Sequence, residues 1–143
     1  DKFAEDSASA GVDGLIIPDL PAEEVDTIKK NGLDLIFLVA PNSSDERIKL
    51  VAKKSSGFIY AISLFGITGA RKELPLDIKD VIGRIRNYTK TPIAVGFGIS
   101  NPAQAAEASK LADGIIIGSA VIDVITKKGN VGKFVSSLKK AIS

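Results

Sequence analysis

The chain has 143 residues, 45% of them apolar and 25% charged, with a formal net charge of +2; that is enough for one globular domain with a core, and too little charge to argue for a nucleic-acid partner. It contains neither cysteine nor histidine, which excludes disulfides and thiolate metal sites and removes the commonest metal ligand and general base, so neither a zinc enzyme nor a Ser-His-Asp hydrolase is expected. No apolar run approaches the roughly 20 residues of a membrane span and no signal-peptide pattern opens the chain, which fits a cytoplasmic protein with no membrane partner.

Phe3, Ala4, Ser7 and Ala8 read as the last turns of a helix. With Asp1 in first place and no methionine anywhere, this suggests a start inside a larger protein. The first strand-like run is Val12–Asp19, closing on Pro18-Asp19-Leu20-Pro21. Asn31-Gly32 is a stop signal, and the second run, Leu33–Pro41, follows it. Ser43 and Glu46 have capping-box spacing. The helix they announce carries Ile48, Val51 and Ala52 on one face and stops at Ser56-Gly57. A third run covers Gly57–Ser63, followed by a long loop from Leu64 to Pro75. Ile78, Val81, Ile82 and Ile85 then mark one helical face. Pro92–Gly98 is the fourth run, and Asn101-Pro102 is a cap with proline at the first helical position. Asp113–Ser119 is the fifth, and Val131, Phe134, Val135 and Leu138 repeat the helical spacing at the end.

Continuous apolar strands such as Leu35–Val39 and Ile115–Ile117 belong to sheets covered on both faces, usually parallel ones. Five strands alternating with helices predict right-handed crossovers in a single α/β domain over residues 1–143. Two architectures fit, an open doubly wound sheet and a partial (β/α)₈ barrel of the TIM type. A full barrel takes roughly 250 residues, so about five βα units make a little over half of one.

In such folds ligands bind beyond the C-terminal ends of the strands. Gly98 and Gly118-Ser119 follow the last two runs. They either cradle a phosphate, with Ser119 adding a hydroxyl, or simply make tight βα turns. The loop carrying Thr68, Gly69 and Arg71 reads as a lid over a bound phosphate ester or as a plain surface excursion. Asp19 could be a catalytic carboxylate, or could fix a turn between its two flanking prolines. No second carboxylate sits at a comparable strand end, so no acid/base pair is visible. Lys127, Lys128, Lys133, Lys139 and Lys140 read as a solvated helix face rather than a nucleic-acid patch.

Val12-Asp13-Gly14 running into Pro18-Asp19-Leu20-Pro21, then Phe37-Leu38-Val39-Ala40-Pro41, Gly66-Ile67-Thr68-Gly69-Ala70-Arg71, Val95-Gly96-Phe97-Gly98-Ile99-Ser100 and Gly118-Ser119-Ala120 resemble the tryptophan synthase alpha chain family, in its order and spacing. The resemblance implies the C-terminal part of a (β/α)₈ barrel, from about strand four, belonging to a lyase that cleaves indole-3-glycerol phosphate to indole and glyceraldehyde 3-phosphate. It implies no cofactor in this chain, and a beta-chain partner that carries pyridoxal phosphate. By motif match, Gly69, Gly98, Gly118 and Ser119 would hold the substrate phosphate. Tyr60 and Phe97, with Ile16, would line the indole pocket. Thr68 and Arg71 would lie on the closing loop, and Asp19 and Pro21 near the beta-chain interface. The family's catalytic glutamate and aspartate precede this segment. No catalytic residue is therefore expected here, and the chain is expected to be inactive alone; the alternative to the lyase reading is a non-catalytic half-barrel that binds phosphate or self-associates.

Overall fold

A computed structural model describes residues 2–27, 32–62, 76–96 and 98–143. Helix α1 (Lys2–Ser9) leads into strand β1 (Gly14–Ile16), and a short 3₁₀ helix occupies Ala22–Thr27. Strands β2 (Asp34–Ile36) and β3 (Leu38–Val39) come next, then α2 (Asp45–Lys54), β4 (Ile59–Ile62) and α3 (Leu76–Arg86). The remainder is β5 (Ile93–Gly96), α4 (Pro102–Ser109), β6 (Gly114–Ile115), α5 (Ser119–Thr126) and α6 (Val131–Ile142).

Every strand pair is parallel, as continuous apolar strands with helical crossovers require. The strands are shorter than their apolar runs, and the run 33–41 forms two of them rather than one. Its first half pairs with β1 and its second with β4, giving a two-stranded sheet β1-β2 and a four-stranded sheet β3-β4-β5-β6. Phe37, between the halves, still accepts from Tyr60 N at 3.0 Å, and Leu35 O accepts from Ser56 N at 3.0 Å. One extended segment therefore serves neighbours on both sides at staggered heights, as the shear of a barrel wall demands. Among the described residues the first crossover carries the 3₁₀ helix instead of an α-helix, and the last strand is followed by two helices.

Local signals explain the helix ends. Asn101 Oδ1 accepts from Gln104 N at 3.0 Å, as its pairing with Pro102 predicts. The cap of α2 sits one residue later than the spacing suggests. Ser44, not Ser43, accepts from Arg47 N, at 3.2 Å. Ser43 has a different use: its Oγ accepts from Ala40 N at 3.1 Å and shapes the turn before the helix.

The core lies between the strands and the helices. Leu35, Phe37, Val39, Ile59, Ala61, Ile93 and Val95 pack against Ile48 and Val51 of α2, Ile78, Val81, Ile82 and Ile85 of α3, Ala105 and Ala108 of α4 and Leu138 of α6. On α6 the predicted face is only partly used. Leu138 is buried and Phe134 packs at the margin, but Val135 is 46% exposed.

Candidate functional site

Strand alternation sorts the sheet into two faces. The residues between the buried ones point the other way: Ile36 and Leu38, Tyr60 and Ile62, Ala94 and Gly96. Apart from Ile36, these are only half-buried. Ile16 on β1, opposite Ile36, is 44% exposed. The register Leu38↔Tyr60↔Ala94↔Gly114 runs straight across the four-stranded sheet. This concave face would be the inside of a barrel.

Tyr60 dominates that face because its β5 neighbours, Ala94 and Gly96, are small. A Cβ built on Gly96 would lie 2.6 Å from Tyr60 Cε2 and 2.8 Å from Cζ, so the tyrosine ring lies directly over the Gly96 backbone. No other residue type permits that approach. Burial pushes the Tyr60 hydroxyl above its ordinary pKa, so the phenol stays a neutral donor. No motif marks Gly96 as a site residue, although a glycine inside an otherwise apolar strand is the signal of a close approach.

The strand ends β5 and β6 are neighbours, held further by Ile116 N donating to Val95 O at 2.7 Å. The segments after them therefore lie side by side. Gly98 is exposed with φ +44°, in the left-handed region where glycine is favoured, and a Cβ there would meet open space. Gly118 and Ser119 are exposed too, and a Cβ on Gly118 would also find nothing nearby. Gly118 stands at the N-terminus of α5 and supplies no side-chain cap. Val121 N donates to Gly118 O at 2.9 Å, which leaves the N–H groups of Ser119 and Ala120 ahead of it at the positive end of the helix dipole.

Asp19 and Pro21 lie in the exposed turn after β1, where Leu20 N donates to Ile17 O at 3.2 Å and Glu24 N to Pro21 O at 3.0 Å. That geometry makes Asp19 a turn residue. Gly69, Thr68 and Arg71 of the expected closing loop, and Phe97 of the expected indole pocket, lie outside the described residues. Of the expected set, the structure puts Ile16 and Tyr60 on one face and brings Gly98 and Gly118-Ser119 to neighbouring strand ends.

A family model described as the tryptophan synthase alpha chain matches residues 1–141. The tryptophan synthase alpha chain of Dehalococcoides mccartyi is 47% identical, over 99% of this chain and 58% of that one. That of Methanocaldococcus jannaschii is 46% identical, over 89% of this chain and 47% of its own length. Among solved structures, a tryptophan synthase of Mycobacterium tuberculosis superposes with a TM-score of 0.88 at 38% identity, covering 98% of this chain and 55% of that one. The tryptophan synthase a2b2 complex of Pyrococcus furiosus matches with a TM-score of 0.80 at 34% identity, covering 98% and 58%. This chain thus spans about half the length of the relatives it matches, and its parallel strands and outer helices are those of a partial TIM-type barrel. The chain belongs to the tryptophan synthase alpha chain family.

Proposed function

We propose that residues 1–143 carry the phosphate-binding and indole-facing part of a lyase site that cleaves indole-3-glycerol phosphate to indole and glyceraldehyde 3-phosphate in tryptophan biosynthesis. The observation that carries this reading is the open turn at Gly98 together with the uncapped helix start at Gly118-Ser119, on neighbouring strand ends beside the concave face that holds Tyr60. Backbone N–H groups at a bare helix N-terminus suit a phosphate. A half-buried phenol over a glycine floor suits a flat aromatic ring that also offers an N–H or a hydroxyl. Gly69 and Phe97 would complete the two subsites, and Thr68 and Arg71 the closing loop. The segment at Asp19 and Pro21 would meet the beta chain, whose pyridoxal phosphate stays outside this chain. The P. furiosus relative forms an a2b2 complex, which supports a beta-chain partner here.

A retro-aldol cleavage moves protons to the indole ring and from a hydroxyl. Asp19 lies in an exposed turn after β1, and the strand ends described here offer no other carboxylate. The acids of the reaction would come from the part of the barrel that precedes this segment in the family. Each proton-transfer group contributes on the order of 10²–10⁴ in rate, so these 143 residues alone should produce no detectable indole. The direct test is NMR with inorganic phosphate or glycerol phosphate at millimolar concentration. The amides of Gly98, Gly118 and Ser119 should shift, and unmoved amides would sink the phosphate site.

A second reading has its own support. Among the described residues, seven of the eight exposed large apolar ones lie in or beside the first and last elements: Phe3, Val12 and Ile16 at the first, and Ile122, Ile125, Val135 and Ile142 at the last. Apolar surface at sheet ends recruits a cover. The chain on its own would therefore self-associate, two copies covering each other's concave faces. Sedimentation at low micromolar concentration tests it, and a stable monomer there would refute it.

A further inference from the structure

The turn after β3, residues 40–45, stands at the same end of the sheet as the phosphate turns, next to β4 and Tyr60. Its own bonds are short-range. Ala40 N donates to Ser43 Oγ at 3.1 Å, and Ser43 N donates to Ala40 O at 2.9 Å. Those bonds leave the carbonyls of Pro41 and Ser43 unused. Both are taken by one side chain from another element, Arg84 of α3. Its Nη1 donates to Pro41 O at 3.2 Å and its Nη2 to Ser43 O at 2.6 Å. The same guanidinium donates from Nε at 2.9 Å and Nη2 at 2.7 Å to Asp45 Oδ1. Three acceptors within five residues are thus held by one planar fork, which a lysine ammonium has no geometry to reproduce.

We propose that Arg84 is a positioning residue. It fixes the turn 40–45 and so keeps Leu38 and Ala40, at the end of β3, in register beside Tyr60, setting one wall of the indole subsite. This rests on the indole-facing reading given above. An exposed Arg–Asp pair by itself would contribute little, because solvent screens it. Arg84 differs in two ways: its side chain is 26% exposed against 58% for Asp45, and two of its acceptors are backbone carbonyls. Its effect should therefore survive loss of the ion pair. Arg47, which meets Glu23 at 3.2 Å with both side chains more exposed, has no backbone acceptor of that kind among the described residues and serves as the control.

The test compares Arg84→Met, Arg84→Lys, Asp45→Asn and Arg47→Met in the 143-residue chain. Hydrogen exchange at the Ala40 amide reads the turn, and a titration with indole, followed by the Tyr60 ring signals, reads the wall. In R84M the Ala40 amide should exchange about tenfold faster, equivalent to roughly 1.4 kcal/mol of local stability, while amides of β4 and β5 keep their protection. Indole affinity should fall about fivefold in R84M, less in R84K, and little in D45N or R47M. If R84M does not fold, R84K carries the comparison, with faster Ala40 exchange and weaker indole binding expected. Unchanged Ala40 exchange, undiminished indole affinity, or an effect of D45N equal to that of R84M would overturn the proposal. A wild-type chain that takes up no indole would remove the indole subsite itself and this proposal with it, whereas wild-type binding that R84M retains would remove this proposal alone.

Discussion

On strands β4 and β5, Ile59, Ala61, Ile93 and Val95 are fully buried, while the residues between them, Tyr60, Ile62, Ala94 and Gly96, are only half-buried. The same eight residues of backbone thus present one finished face and one open face. The finished face is covered by α2, α3 and α4 of the same chain. The open face carries the small Ala94 and Gly96 on β5 beside Tyr60, where a barrel interior is normally filled in layers from every strand. Stability therefore resides on the helix side, the proposed ligand site lies on the concave side, and mutations on the two sides should have different consequences.

The largest effect is expected on the finished face. Ile93 is 0% exposed and packed among the helix-facing residues. Ile93→Ala removes buried methyl groups and leaves a cavity, at a cost of about 2–5 kcal/mol. Urea unfolding should show the midpoint falling sharply. Ile16→Ala on the concave face, 44% exposed, should cost under about 1 kcal/mol. Equal losses at both positions would break the contrast between the faces.

A mid-sized effect is expected where the open face is built around one close contact. Gly96→Val would drive its Cβ into the Tyr60 ring, and overpacking of this kind costs about 1–3 kcal/mol. The ring must leave its place, so indole binding should vanish even where folding survives. Tyr60→Ala in the G96V background should recover stability without recovering binding, since it removes the clash and the ring together. Stability that stays low in the double mutant would mean that Gly96 matters for some reason other than Tyr60.

The finished face was legible from the sequence because burial repeats. Ile78, Val81, Ile82 and Ile85 announce a helix and a core side in one pattern. The order of parallel strands followed from the alternation of apolar runs and helices. The division of residues 33–41 into β2 and β3 was not legible, because pairing on two sides at different heights depends on strands elsewhere in the chain. The one-residue shift of the α2 cap has a local cause: adjacent Ser43 and Ser44 both offer a hydroxyl, and Ala40 N competes for the first. The site was legible as motifs, not as mechanics. Gly98 and Gly118-Ser119 stood out as turns after strands, but the seat of Tyr60 on Gly96 and the reach of Arg84 to Pro41 and Ser43 join residues 36 to 43 positions apart, and no local signal links them.

A smaller effect is expected at the opposite end of the sheet from Gly98 and Gly118. Asp113 precedes β6, where its Oδ2 accepts from Ile93 N at 2.7 Å and also meets Arg86. The Ile93 amide, first, and the Arg86 guanidinium hold its carboxyl below the ordinary range, against a partial offset from burial. A carboxylate with a folded pKa below its unfolded one stabilises above the unfolded value, about 3.9, and loses that contribution as pH falls through the folded value. Asp113 is 47% exposed, so screening keeps its contribution modest. Asp113→Asn should cost about 1 kcal/mol at pH 7, with the difference from wild type shrinking below pH of about 4. A gap that persists undiminished well below that pH would show that the charge is not the cause.

The smallest effect, with the opposite sign, concerns the two ends of α5. Its N-terminus at Gly118 is left without a side-chain cap, as the proposed phosphate site would need. Its C-terminus is closed: Gly129 N donates to Val124 O at 2.7 Å and Lys128 N to Ile125 O at 2.9 Å. That is the Schellman arrangement, in which the residue after the cap takes left-handed backbone geometry. Here the residue is Lys128, with φ 54°, where its Cβ crowds the backbone and glycine does not. Lys128→Gly should therefore stabilise the chain by about 0.5–1 kcal/mol, despite the extra freedom of glycine in the unfolded state. It should leave the phosphate-induced shifts at Gly98, Gly118 and Ser119 unchanged, because the strain lies a full helix away from them. Filling the other end is the mirror experiment. Gly118→Asp adds a capping carboxylate in the space a phosphate would occupy, so it should steady the helix and abolish phosphate binding. If G118D bound phosphate as wild type does, the bare end of α5 would not be the anion site, and the concave face would have to hold its ligand through its aromatic floor alone.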